Sequence, residues 1–443
     1  MTRILITTMP ADGHVRPGLP LVHELVAAGH DVAWYTGAKY VDLVERAGAT
    51  ALPFPAELES DFGLFEDRPE VDAEHTPGIR ELRRDILDGF IAPVPAQVRA
   101  LTRIVRCWTP DVIVSDSTFV AGPAVAEREG IPSVAFSVVP LVLSSVDTAP
   151  FGTGLPPAPG PLGRLRNLVL NQATRRVVMG APQRAATRLR ADLGLPALPG
   201  FFMDWVALTV DRFLVPTVPS FEYPRRDLPS TVRFVGPFLP TGGHPWQPPT
   251  WWTDVTEASR TGRPVIVVTQ GTLALNPDNL LRPAIRALAD HDALVVATTG
   301  GPDPDTVLTP DERPANLRLT PFVPFAELLP MADLMITNGG YGGVQFALAH
   351  GVPVVGAGTT EDKMEVNARV AWSGAGVNLR ANRPTPSQIS AGVRTVLADG
   401  RFRSAAQRLQ AEYAQYDGAR SAVRAILDVA RRDVAVSTAE FAG

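Results

Sequence analysis

The sequence predicts an α/β protein of two doubly wound domains that face each other across a cleft. Three observations carry that prediction. Short β-rich runs alternate with helical patterns in the first half of the chain, the same alternation starts again near residue 264, and a connector rich in proline and tryptophan lies between. Strands alternating with helices build parallel sheets covered on both faces. At 443 residues the chain is also too long for one ordinary hydrophobic core.

Arg3–Met9 reads as the first strand. Leu19–Ala28 carries apolar residues at helical spacing and stops at Gly29. Asp31–Thr36, Asp111–Ser115 and Ser133–Val138 read as further strands, with a helix over Ala121–Glu129. Two irregular stretches interrupt this half: the acidic Pro53–Thr76 and the proline- and glycine-rich Thr148–Gly163. Loops of that length in a compact domain usually serve a function. The connector runs from about Pro216 to Thr253, and its Trp246, Trp251 and Trp252 are expected to pack between the domains. Beyond it, strands are expected at Pro264–Gln270, Leu294–Thr298, Leu317–Pro321, Leu334–Thr337 and Val352–Val355. A helix is expected over Asn279–Ala289, and Pro386–Arg432 is helical in pattern. Open sheets of this kind bind ligands beyond the C-terminal ends of their strands, at the point where the strand order reverses. Two such sheets place that site in the cleft.

Composition narrows the function. The net charge is −5 with no basic block, which gives no electrostatic footprint for nucleic acid. No stretch of about 18 apolar residues exists to span a membrane. The N-terminus enters a strand at Arg3 without a signal-peptide layout, and the single cysteine, Cys107, excludes an internal disulfide framework. A cytoplasmic protein is expected. Proline, at 43 residues, is about twice its usual share of about 5 %. The basic residues are arginine except for Lys39 and Lys363, which draws attention to Lys363.

Four motifs carry chemistry. In "TNGGYGG" a strand ends at Thr337 and Gly339, Gly340, Gly342 and Gly343 lead into a helix. Glycines permit close backbone approach, and a helix N-terminus offers free N–H groups to an anion such as a diphosphate. The spacing is neither a P-loop nor a dinucleotide fingerprint, and without GK[ST] it does not fit ATP hydrolysis. "VTQGT" places Gly271 and Thr272 at a second strand end, suited to the other side of the same phosphate. "GTTEDK" clusters Glu361, Asp362 and Lys363 at a third. Those acids either accept hydrogen bonds from sugar hydroxyls or simply complement a helix dipole. "PADGHVRPG" sets His14 in the turn after the first strand, as a base or as a turn cap.

With these residues the chain resembles the GT-B fold, family 1 glycosyltransferases of the bacterial type that decorate natural products. The matching segments are "GHVRP", "QGT" at 270–272, "FVPFAELLP" at 322–330 and the block from 338 to 376. The resemblance runs nearly end to end, and its specific part is the C-terminal block. It implies two facing Rossmann-like domains: 1–225 for the acceptor, a linker at 226–253, 254–415 for the nucleotide-sugar donor, and a helix at 416–443 that packs back on the N-terminal domain. It implies His14 as general base and Asp116 as its partner, which would stabilise the imidazolium. A helix N-terminus is expected to depress the imidazole's pKa and keep it neutral. The resemblance also places the nucleobase near Phe322 and Val323, with Phe322 or Phe325 stacked on it or simply part of the core.

Three positions depart from the family pattern. The phosphate-contacting histidine is Asn338, which donates a hydrogen bond but carries no charge. The ribose-gripping glutamate is Phe346, which favours a 2′-deoxyribose carrier such as dTDP over UDP. The sugar-reading Asp-Gln pair is Asp362 and Lys363, so that Lys363 reads a different sugar or offsets the charge missing at position 338. The activity implied is an inverting transfer from a nucleotide-diphosphate sugar to a hydroxyl of a lipophilic natural product. It requires no cofactor and no metal, in a monomer or homodimer. A nucleotide-sugar epimerase and a non-catalytic partner of another transferase are the alternatives. An epimerase has no need of the pair His14 and Asp116, and a non-catalytic partner has no reason to keep it.

Overall fold

Alternating apolar strands sort their side chains into two cores per sheet. The computed structural model describes residues 1–59, 79–239, 246–271 and 276–440. Its first sheet has strands β1 (Arg3–Thr7), β2 (Asp31–Thr36), β3 (Thr50–Pro53), β4 (Val112–Asp116), β5 (Ser133–Phe136), β6 (Arg212–Val215) and β7 (Val232–Phe234). Their order is β3-β2-β1-β4-β5-β6-β7. The second sheet has β8 (Val265–Thr269), β9 (Leu294–Thr298), β10 (Leu317–Thr320), β11 (Leu334–Thr337), β12 (Val354–Gly356) and β13 (Gly376–Asn378). Their order is β10-β9-β8-β11-β12-β13, and the pairs in both sheets are parallel. In β1, Ile4 and Ile6 enter one core with Trp34 and Leu21, while Leu5 enters the other with Tyr35 and Leu101. In β8, Val265 and Val267 part in the same way from Ile266 and Val268. This is the two-residue period of a sheet covered on both faces.

The strand order reverses between β1 and β4 in the first sheet and between β8 and β11 in the second. Thr7 pairs with Ser115 and Thr269 with Thr337, so each reversal point opens at matched strand ends.

Several boundaries differ from expectation. Strands β3, β6, β7 and β13 are additional, each of three or four residues. Because β7 joins the first sheet, the N-terminal domain extends past 225 to at least Phe234, and the linker starts later. Trp246, Trp251 and Trp252 pack against the C-terminal core rather than between domains, and the rings of Trp246 and Trp252 meet edge to face at 4.8 Å. The final helix, Gly418–Glu440, returns to the N-terminal domain as expected. There Ala422 and Ile426 are fully buried beside Leu21 and Leu25, and Arg420 pairs with Glu24 at 3.1 Å.

A buried ionic network holds the domains together. Arg369, on the helix Lys363–Ser373, reaches Glu222 of the N-terminal side at 2.6 Å and Glu365 of its own helix at 2.9 Å. Glu222 also accepts from the backbone of Leu141 at 3.0 Å and from Arg225 at 3.2 Å. Glu365 turns its other oxygen to the backbone N–H groups of Gly152 and Gly154, at 2.8 and 2.9 Å. The Arg369 guanidinium lies over the Tyr223 ring at 4.1 Å. Two acids and two arginines balance in charge. Burial disfavours the Glu222 carboxylate, yet Arg369 and Arg225 outweigh it and hold it below the usual range. Removing one partner of such a network strands the others. Arg369→Met is therefore expected to destabilise the protein by about 3–5 kcal/mol, read as a lower urea midpoint, whereas Arg401→Met on the surface leaves the midpoint unchanged.

Candidate active site

The loop after β1 folds into a four-residue helix, Asp12–Val15, which Val15 anchors by full burial. His14 stands on its outer side, its side chain about a quarter exposed at 24 %. A 3₁₀ turn containing Pro17 then leads into the helix Leu19–Ala27. Across the reversal point, Asp116 ends β4 and is wholly buried. Its Oδ2 accepts from the Met9 backbone at 2.6 Å. Its Oδ1 accepts from the Thr118 backbone at 2.7 Å, the Thr118 hydroxyl at 2.6 Å and the Phe119 backbone at 3.2 Å. His14 Nδ1 lies 3.4 Å from that oxygen and 3.1 Å from Thr118 Oγ1. Burial opposes both charges. The ion pair outweighs it, and with these hydrogen bonds it holds Asp116 below the carboxylate range.

His14 corrects an expectation. Burial alone would lower its pKa, but the charge of Asp116, and then those of Asp362 and Glu361, raise it above the ordinary 6.5. The helix that bears it is a single turn with His14 at its third residue, so the expected dipole effect is overridden by carboxylates.

In that domain the glycine loop follows β11. Gly339 has φ +92°, and a Cβ there would lie 2.4 Å from the Asn367 side chain. Gly340 caps the helix Tyr341–Ala349, and a Cβ on Gly342 would meet no protein atom within 4 Å. No packing demands glycine at that first turn, which leaves the helix N-terminus open to an anion. Gly343 follows in the same turn. Asn338 differs from expectation: its side-chain amide donates to the Gln270 carbonyl and its oxygen accepts from Gly340 N at 3.2 Å. It ties the β8 and β11 loops together with one of its two amide N–H groups. Gly271 lies beside it, while Thr272 lies outside the described residues.

After β12, Glu361 adopts a left-handed backbone, φ +54°, and ion-pairs with Lys363. Asp362 caps the next helix, and burial pushes its pKa up to about 6 against the pull of Lys363. A strained non-glycine residue beside a perturbed acid is a recurring mark of function. Phe322 is 70 % exposed and free to stack on a base, whereas Val323 is 1 % exposed. Phe325 packs edge to face on Phe346 at 6.0 Å as part of the core.

Sequence reasoning missed Thr118, Asn367, Glu365 and Arg369. Asn367 is fully buried and donates to the carbonyls of Asn338 and Gly358, at 3.3 and 3.2 Å, bracing both loops from below. Its spacing of four from Lys363 was the available signal. Among the described residues no group of three or more histidines, cysteines and acids is placed to hold a metal ion, and no helix is long and apolar enough to cross a membrane.

Known proteins match this arrangement. Residues 283–426 match the family described as erythromycin biosynthesis protein CIII-like, C-terminal domain. The chain is 47 % identical to 4′-demethylrebeccamycin synthase of Lentzea aerocolonigenes, over 95 % of this chain and 98 % of that one. It is 34 % identical to UDP-glycosyltransferase 2 of Phaeomoniella chlamydospora, over 94 % and 93 %. Among solved structures, the calicheamicin glycosyltransferase CalG4 superposes with a TM-score of 0.73 at 25 % identity, over 98 % and 99 %. VinC in complex with dTDP superposes with 0.68 at 24 %, over 97 % and 100 %.

Titration follows from this geometry. In an NMR titration His14 is expected to show a midpoint above 6.5. Asp116→Asn removes the carboxylate that favours the imidazolium, so the midpoint is expected to fall.

Proposed function

The chain belongs to the natural-product glycosyltransferases of the GT-B fold, and on that premise we propose that it is an inverting enzyme with His14 as its base. The observation that carries this reading is His14 at one reversal point, backed by Asp116 at 3.4 Å, with the open N-terminus of the helix Tyr341–Ala349 at the other.

The acceptor hydroxyl gives its proton to His14 as its oxygen attacks the anomeric carbon. The bond from that carbon to the diphosphate breaks on the opposite face, and the diphosphate leaves with the electron pair. Positioning and base catalysis act together. The raised pKa of His14 suits this role, because Asp116 stabilises the imidazolium as it forms. The amides of Gly342 and Gly343 in the first turn of the helix receive the departing charge, so the reading needs no metal. Asp362 and Lys363 meet the sugar hydroxyls, and Phe322 stacks on the base.

The donor is a UDP- or dTDP-sugar. Phe346 supplies no acceptor for ribose hydroxyls, which supports dTDP; one relative is named a UDP-glycosyltransferase, and the VinC structure holds dTDP. The acceptor is a lipophilic hydroxylated small molecule. What supports it is the apolar outer face of the helix Gly160–Ala173, where Leu162, Leu165, Leu168 and Val169 are exposed beside the loop clasped by Glu365. The exposed free thiol of Cys107 suits a reducing cytoplasm.

Four measurements test the reading. His14→Ala is expected to lower kcat by about 10²–10⁴-fold while calorimetric binding of the donor is retained. Calorimetry with UDP and dTDP on wild type and Asn338→His decides the carrier; dTDP preference supports the reading of Phe346, and binding of neither overturns the transferase reading. Catalysis needs His14 neutral and Asp362 ionised, so the rate is expected to fall as pH drops through the raised His14 pKa and on past about 6. A chelator is expected to leave the rate unchanged.

A further inference from the structure

We infer that Thr118 is a positioning residue that links His14 to Asp116 and holds the base in its working tautomer. The inference rests on the proposed role of His14. A threonine hydroxyl has one proton and two lone pairs. That proton goes to Asp116 Oδ1 at 2.6 Å, so Oγ1 faces His14 Nδ1 at 3.1 Å as an acceptor. Asp116 Oδ1 is farther from Nδ1, at 3.4 Å, and already receives the Thr118 backbone, the Thr118 hydroxyl and the Phe119 backbone. The oxygen nearest the ring with a lone pair to spare is therefore the hydroxyl.

The chain of bonds runs from Nδ1–H to Thr118 Oγ1 and from Thr118 O–H to Asp116 Oδ1. It places the proton of the neutral ring on Nδ1 and leaves Nε2 bare for the acceptor. When Nε2 gains a proton, both bonds shorten and Asp116 feels the new charge through the hydroxyl; no proton leaves Nδ1. The neighbouring Ser117 hydroxyl is buried without a partner, so it does not share the task.

The test is nitrogen-15 NMR of the histidine rings together with kinetics, with the His14 signals assigned by their loss in His14→Gln. Wild type is expected to show His14 protonated at Nδ1. Thr118→Val keeps the backbone bond to Asp116 and removes the hydroxyl. It is expected to raise the Nε2-protonated fraction and to lower kcat about 10- to 100-fold, with KM for both substrates within about two-fold. Thr118→Ser is expected to restore tautomer and kcat. If the valine variant does not fold, Thr118→Ala carries the same test. A Thr118→Val enzyme with wild-type tautomer and kcat overturns the inference, provided His14→Ala is inactive. An active His14→Ala overturns the base reading itself.

Discussion

The arrangement of this protein depends on one buried ionic contact, Arg369 between Glu222 and Glu365. Each sheet can bury its own strands without the other. The cleft needs them held at a set distance, and an apolar contact alone does not specify a register. Arg369 does so because its planar guanidinium must meet two carboxylates from fixed directions. The same helix begins with Asp362 and Lys363, so the group that binds the domains together is built into the element that faces the cleft.

That coupling extends into the N-terminal domain. Through Glu365 the helix holds the backbone of Gly152 and Gly154 in the irregular loop. Displacing the helix displaces the loop, and the final helix adds a second tie through Ile426 and Arg420. The helix, the loop and the final helix are thus mechanically linked.

The two reversal points divide the chemistry by charge. The N-terminal one carries a histidine and a carboxylate held by three backbone amides. The C-terminal one carries an open helix terminus, braced by Asn338 and Asn367, where negative charge is favoured. The proposed division of labour, a proton taken on one side and an anion released on the other, follows that difference in charge.

Much of this was legible in the sequence. Long apolar strands such as β1, β4 and β8, the glycine loop and the histidine turn announce themselves by local pattern, because period, glycine and turn chemistry act over a few residues. So the paired α/β sheets, the glycine loop, the turn that holds His14 and the acidic cluster with Asp362 were read from local pattern, while Asp116 entered only through the family resemblance. The short edge strand β7 was identified only by its pairing with β6. Phe322 and Phe325 could not be told apart until the fold exposed one and packed the other. The sign of the His14 shift, the internal use of Asn338 and the roles of Thr118 and Arg369 were decided by tertiary structure alone. The reason is physical: each depends on charges or lone pairs brought within a few ångströms from segments far apart in the chain, such as Glu222 and Arg369. Local pattern shows which groups a chain has, and only folding shows which of them meet.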